Sequence, residues 1–283
     1  MSPVPLFQCE RQNTDGFHCD DVKNKRVNSA LYCVPKASAP RRAAESLARI
    51  QNLCILRSAH RNSENVQGMD NIMKVKDAIQ HGKISTGNSK MPGTTYAIDA
   101  FACNTGSKLA QIEGTPCHSC YARKLQKLRP SVDQGWKANL AKWNHSEPLD
   151  WIASMVFQIA RYNTDGYHRW FDSGDLQSLE MLDAIVAVAR MTPHVRHWLP
   201  TQERKLVSDW QKLGFTLPLN LNVRVSAAKL DGDKPKGING SQVYTKGQAP
   251  KGHPCPARIQ GNNCGPCRAC WDRDVELVSY PKH

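Results

Sequence analysis

Tyr167-His-Arg-Trp-Phe-Asp-Ser-Gly-Asp175, then Leu176 to Arg190, then His194-Val-Arg-His-Trp-Leu199 is the stretch that sets the fold class. The first part reads as a short aromatic strand that ends in a polar Asp172-Ser-Gly-Asp175 turn. In the second, Leu179, Leu182, Ile185, Val186 and Ala189 recur at helical spacing and predict one buried helix face. The third is another strand, closing on Pro200-Thr-Gln-Glu-Arg204. Outward from this unit the alternation continues. A helix ends before Gly214, a natural stop, and Leu219-Asn-Leu-Asn-Val-Arg-Val225 forms a strand ending at Ser226. Upstream, Ser146 as N-cap and Pro148 in the first turn open a helix whose stripe is Ile152, Met155, Val156 and Ile159. Thr94-Thr-Tyr-Ala-Ile-Asp-Ala-Phe-Ala102 is expected to be a strand that delivers Cys103 at its end. Strands alternating with helices predict an α/β fold of stacked βα units with a parallel sheet, as a barrel, a partial barrel or an open sheet.

In such folds ligands gather at the carboxyl ends of the strands. Those ends carry Cys103, Asp172 to Asp175, Thr201 to Arg204, and Ser226. Cys103 belongs to a loop that also holds the pair Cys117-His-Ser-Cys120. Three thiolates without an obvious fourth describe an open coordination position, either on zinc or on a [4Fe-4S] cluster. His118, between the paired cysteines, is a candidate fourth ligand. A second group lies near the C-terminus: Cys255, then Cys264-Gly-Pro-Cys267-Arg-Ala-Cys270. Four thiolates close a tetrahedral set, and soft sulfur accepts either an iron–sulfur cluster or zinc.

Of the 11 cysteines in the chain, these seven cluster with ligand-like spacing, which favours metal or cluster ligation over disulfides. Cys9, Cys19, Cys33 and Cys54 are scattered; the first three could bind a metal with His18, but their irregular spacing reads better as buried structural thiols, and Cys54 falls on the apolar stripe of a helix. The start of the chain lacks the apolar core of a signal peptide and no run approaches membrane-spanning length, so a cytoplasmic location with no membrane partner is expected. A net charge of +13 points to a polyanionic partner, nucleic acid first. Arg123, Lys124, Lys127 and Arg129 follow the cysteine loop directly, on a helix expected to start near Cys120.

Three segments are expected. Residues 1–88 form an N-terminal helical extension or cap, with helices over 41–56 and 69–81 and a linker from Gly82 to Gly93. Residues 89–228 form the βα core. Residues 229–283 form a C-terminal cluster segment whose Gly-, Pro- and Lys-rich start reads as loop up to Gly252.

The runs Cys117-His-Ser-Cys-Tyr-Ala122, Arg169 to Ser178, Trp198-Leu-Pro-Thr-Gln-Glu203 and Cys264 to Trp271 resemble the phage gene product 88 domain family. The cysteine loop and strand order are also similar to radical S-adenosylmethionine (SAM) enzymes, with a distant likeness to spore photoproduct lyase relatives, which share Cys-Tyr-Ala at the end of the cluster loop. That resemblance implies a partial (βα) barrel of radical SAM type. It implies that Cys103, Cys117 and Cys120 hold a [4Fe-4S] cluster, whose open iron SAM chelates and whose electron splits SAM into methionine and a 5′-deoxyadenosyl radical. Ser173, Gly174 and Asp175 would then hold the SAM amine, Ser226 would lie near its ribose or carboxylate, and Tyr121 would border the cofactor. A second cluster, or zinc in its place, would sit on Cys255, Cys264, Cys267 and Cys270. Most radical SAM enzymes space the first two cysteines by three residues, whereas 13 separate Cys103 from Cys117.

The function expected from this resemblance is a radical SAM enzyme acting on nucleic acid or on a modified base in phage DNA, by isomerase or base-modification chemistry. Flavodoxin or ferredoxin would supply electrons in the host cytoplasm. Two alternatives stand beside it. One is a non-catalytic zinc or iron–sulfur protein that binds nucleic acid; the other is a redox or sulfur-transfer enzyme using an extra thiol such as Cys54.

Overall fold

The computed structural model describes residues 73–282 and, before them, only an antiparallel pairing of Phe17–His18 with Val34–Pro35. The chain divides into two compact units, 1–51 and 52–283. The helix expected over 41–56 and the cysteines at 9, 19, 33 and 54 lie outside the described residues.

Seven strands make one sheet: β1 (Thr94–Tyr96), β2 (Tyr167–Trp170), β3 (Arg196–Thr201), β4 (Leu221–Ser226), β5 (Gly240–Tyr244), β6 (His253–Pro254) and β7 (Leu277–Pro281). Every pairing is parallel, in the order β1-β2-β3-β4-β5-β7-β6. The first five strands thus lie side by side in chain order, without the reversal of a doubly wound sheet. Successive crossovers of one hand put their helices on a single face.

The helices are α1 (Val75–His81), α2 (Asn104–Leu109), α3 (Tyr121–Leu128), α4 (Pro130–His145), α5 (Pro148–Tyr162), α6 (Leu179–Met191) and α7 (Arg204–Lys212). Ile152, Met155 and Ile159 of α5 and Leu182, Ile185 and Val188 of α6 are fully buried, as their spacing predicts. Trp151 meets Tyr96 at 5.6 Å, Trp170 at 5.7 Å and Trp143 at 5.0 Å between ring centroids, so an aromatic cluster locks α4 and α5 to β1 and β2. Pleating sends alternate residues to opposite faces. Tyr96, Trp170, Leu199 and Val223 face the helices, while Thr95, Arg169, Trp198, Asn222 and Arg224 face the other way. That second face is covered by the C-terminal cysteine loop: Trp271 packs against Trp198 and Tyr167 at 5.3 Å, with Met91 beside it.

Several local expectations need correction. The strand from Thr94 stops at Tyr96; Asp99 then caps a 3₁₀ turn, Ala100–Ala102, by accepting from the Phe101 N–H, so Cys103 follows that turn instead of a strand end. Glu147, not Ser146, is the N-cap of α5, and the Ser146 hydroxyl sits 3.0 Å from His81 Nδ1. The stretch from Gly82 to Gly93 is no free linker, because Ser85 pairs with Thr95 and Ile84 and Met91 are buried. Nor is 229–252 all loop: β5 lies within it, and β5, β6 and β7 extend the core sheet. Of the helix expected over 69–81, α1 covers Val75–His81 and residues 69–72 lie outside the described residues; Ser154 joins α1 to α5 by donating to the Ala78 carbonyl.

Candidate metal and cofactor site

The central cysteines come together through α2, a short helix within what the sequence offers as a loop. Cys103 is its N-cap, and Gly106 lies in its first turns. A Cβ on Gly106 would stand 2.9 Å from Cys103 Cβ, 3.6 Å from Cys103 Sγ and 3.7 Å from Cys117 Sγ. Two sulfurs, 14 positions apart in the chain, thus close on one point that only glycine leaves open. The return from α2 is fixed by Thr115, whose hydroxyl donates to the Leu109 and Ile112 carbonyls. Cys120 is the N-cap of α3, and Tyr121 donates its hydroxyl to the Asp172 carbonyl at 2.6 Å, tying this loop to the end of β2. His118 is exposed, with Nδ1 3.2 Å from the Ala110 carbonyl.

Burial pushes the Cys103 thiol well up, with Asp175, Cys120, Cys117 and Glu203 adding in the same direction. Burial likewise pushes Cys117 up to about 12, assisted by Cys120 and Asp175 and opposed by Arg123. Cys103 and Cys117, within electrostatic reach of each other, of Cys120 and of two carboxylates, gain thiolate charge most readily from a cationic centre among them. Among the described residues, no three His, Cys, Asp or Glu side chains already stand in the arrangement of a metal shell. The fit rests on the Gly106 cradle and on the charge of the donor set.

The rim beside these cysteines is rigid. Phe171 adopts φ +51, an uncommon conformation for a bulky residue, and begins the turn after β2. Gly174 follows at φ +82, where a Cβ would fall 2.2 Å from Ile98 Cγ1. Ser173 is buried and its hydroxyl has no partner. Asp175 is fully enclosed: Oδ1 accepts from Thr201 Oγ1 at 2.6 Å and from the Leu176 N–H, and Oδ2 accepts from the Gln202 N–H. Burial raises its carboxyl to about 7 against those three donors. Asp175 therefore ties β2 to β3 and keeps few acceptor sites for a ligand.

Glu203, which the sequence places on the strand-end rim without a role, has one here. Its Oε1 accepts from the Thr105 N–H at 2.7 Å and its Oε2 from the Thr105 hydroxyl at 2.8 Å, so it anchors the first turn of α2 and hence Cys103. Its sequence signals are its place after β3 and at the end of the Trp198–Glu203 run. Ser226, at the end of β4, meets Ser241 at 2.9 Å; no contact joins it to the cysteines.

The C-terminal cysteines also converge. Cys264 is raised by burial, then by Cys255 and Cys267; Cys270 is pushed up to about 12 by burial, with Cys255 adding and Tyr280 and Arg224 opposing. Tyr280 Oη lies 3.1 Å from Cys270 Sγ, and His253 Nε2 lies 3.4 Å from Cys267 Sγ. All seven described cysteines are free thiols, as expected for ligands. Arg224, fully buried in β4, pins their loop by donating to the carbonyls of Gly240, Ala269, Cys270, Asp272 and Val275, while Asn222 donates to those of Cys270 and Asp272. Arg169 stands between the two sets, within electrostatic reach of Tyr121 and Asp172 on the rim and of Cys270 and Tyr280.

No helix among the described residues is long and apolar enough to cross a membrane. No curated protein and no solved structure matches the chain. A family model, Gene product 88, matches residues 73–273, which take in both cysteine groups and the whole rim between them. The chain belongs to the gene product 88 family.

Proposed function

We propose that the protein is a radical SAM-type iron–sulfur enzyme built on a partial (βα) barrel, with nucleic acid or a modified base in phage DNA as its substrate. The observation that carries this reading is the closure of Cys103 and Cys117 on Gly106, with Cys120 within electrostatic reach of both, beside the strand-end rim. When bound there, a [4Fe-4S] cluster with SAM supplies one-electron cleavage to a hydrogen-abstracting 5′-deoxyadenosyl radical. The protein's own residues hold and orient. Cys103, Cys117 and Cys120 are the cluster ligands. The unpartnered Ser173 hydroxyl and the backbone around Gly174 would hold the SAM amine, with Tyr121 and Ser226 at the margins of the same rim. Asp175 and Glu203 act one step back: the first fixes β2 against β3, the second seats α2. Flavodoxin or ferredoxin is the electron donor in this reading.

The basic residues of α3 support the substrate class. Lys124, Lys127 and Arg129 are exposed on the helix that begins at Cys120, and Arg123 lies 4.6 Å over the Phe101 ring. Phosphates bound along α3 would lie beside the cysteine loop.

Cys255, Cys264, Cys267 and Cys270 fill a structural role in this scheme. Buried Arg224 and the Trp271 packing make their loop the cover of the second sheet face, and either zinc or a second [4Fe-4S] cluster suits four thiolates. A metal-stapled nucleic-acid-binding protein without catalysis is the competing reading, favoured by that same integration.

Anaerobic purification with quantitation of iron, sulfide and zinc, followed by reductive incubation with SAM, separates them. The enzyme yields 5′-deoxyadenosine and methionine, and a Cys117→Ala/Cys120→Ala variant loses one cluster's worth of iron and all SAM cleavage. Zinc-loaded protein that leaves SAM intact rejects the enzymatic reading.

A further inference from the structure

A cavity of about 380 Å³ opens beside β1, where Ser85 bridges to Thr95, at the lower end of the size range of small-molecule sites. Its lining changes character with depth. Buried Thr95 and half-buried Asp172 line its inner part, where the Thr95 hydroxyl donates to Asp172 Oδ2 at 3.2 Å. That carboxylate oxygen keeps a second acceptor site, which selects a ligand with N–H donors. The half-buried indole of Trp136 lines the cavity and offers a face to a planar ring. At the mouth stand Lys83, Ser85 and Thr86, all exposed, a cation and two hydroxyls suited to phosphate. Tyr121, next to Cys120, donates to the Asp172 carbonyl, so the inner end of the cavity adjoins the central cysteine loop.

Acceptors within, an aromatic face along the side and a cationic rim match one chemical class. We propose that this cavity receives a single nucleotide, base inward, and that Asp172 selects bases bearing an exocyclic amino group. Guanine, cytosine and adenine present such donors; thymine sets carbonyl oxygens on both sides of its one N–H and meets the carboxylate with repulsion. In a polynucleotide this requires the base to leave the stack.

The inference rests on the nucleic-acid part of the proposed function and is independent of its radical chemistry. The test is calorimetric titration of the full-length protein with the 5′-monophosphates of deoxyguanosine, deoxycytidine, deoxyadenosine and thymidine, followed by the corresponding nucleosides. The amino-bearing nucleotides are expected to bind at one site, and thymidine 5′-monophosphate about tenfold or more weakly. Asp172→Asn should bring the four within a few-fold of one another, and Trp136→Ala should weaken all four by about tenfold. Lys83→Ala, at an exposed position where folding is not at issue, should weaken the monophosphates and leave the nucleosides unchanged. Absence of saturable binding by any nucleotide overturns the proposal, as does a Lys83→Ala protein that binds monophosphates like the parent. The titration reads binding alone, so a protein that fails to cleave SAM can still pass it, and one that cleaves SAM can still fail it.

Discussion

Arg224 places a guanidinium inside a sheet and satisfies it with five main-chain carbonyls, four of them from the C-terminal cysteine loop or the segment just after it. Replacing it by methionine keeps the volume and strands those carbonyls in a buried place, each costing about 1–3 kcal/mol. Arg224→Met is expected to lose roughly 3–5 kcal/mol in urea denaturation and to release metal from the C-terminal set first, read by metal content against urea. Gly106 and Gly174 make different demands on their neighbours. Alanine at 174 meets Ile98 at 2.2 Å in a left-handed backbone, so Gly174→Ala should destabilise by about 1–3 kcal/mol or more. Alanine at 106 has helical backbone but stands 2.9 Å from Cys103 Cβ, so Gly106→Ala should displace that cysteine, lower the melting temperature by a few degrees and lower iron at the central site. Equal iron in the parent and the Gly106→Ala protein would sever the cradle from metal binding.

Among the elements, α2 and α3 carry the site. Neither has the apolar stripe of α5 or α6; what orients them is Glu203 holding Thr105 and Tyr121 holding the end of β2. Glu203→Gln keeps the shape but turns one acceptor into a donor, so it should lower iron retention without unfolding the sheet, measured by iron content and circular dichroism. On α3, Lys124→Glu/Lys127→Glu reverses two exposed charges beside the cysteine loop. Nucleic-acid affinity should fall alike for all sequences, and the slope of log affinity against log salt should become shallower by about two. The strands were easier to read than these helices. Aromatic and β-branched runs ending in polar turns mark β2, β3 and β4, whereas β5 begins with Gly240-Ser-Gln, which carries neither signal. Its identity comes from its neighbours β4 and β7.

Over the whole molecule, the helix-facing side of the sheet buries two histidines as neutral rings. His197 Nδ1 accepts from Trp170 Nε1 at 3.2 Å, and since Thr192 gives its own proton to the Val188 carbonyl, His197 Nε2 must donate to Thr192. Burial depresses His197 to about 3 and lowers His168 well below the usual imidazole range, with His197 adding to the latter shift. Between pH 6.5 and about 3 the unfolded chain takes up a proton at position 197 and the folded chain does not. The contribution of His197 to stability is thus complete above the ordinary histidine range and declines as pH falls through that window. Asp175, raised to about 7, works in the opposite sense, so the test is a comparison of two proteins. The stability of the parent relative to His197→Asn should shrink by a few kcal/mol as pH is lowered from 7 to 4, followed by urea denaturation at each pH. A difference that stays constant with pH would mean that position 197 is not a buried neutral histidine.

The sequence alone determined the alternation of strands and helices, the parallel sheet that follows from it, and the two cysteine groups, because apolar periodicity and ligand spacing are local properties of the chain. It located the rim as well, since strand ends are visible wherever polar turns follow aromatic runs. Tertiary structure alone decided that a glycine inside α2 draws Cys103 to Cys117, that Glu203 holds that helix in place, and that Arg224 and Trp271 fold the last cysteines over the second face of the sheet. Each of those depends on partners far apart in the chain, and a residue's type says nothing of a partner that only the fold brings near.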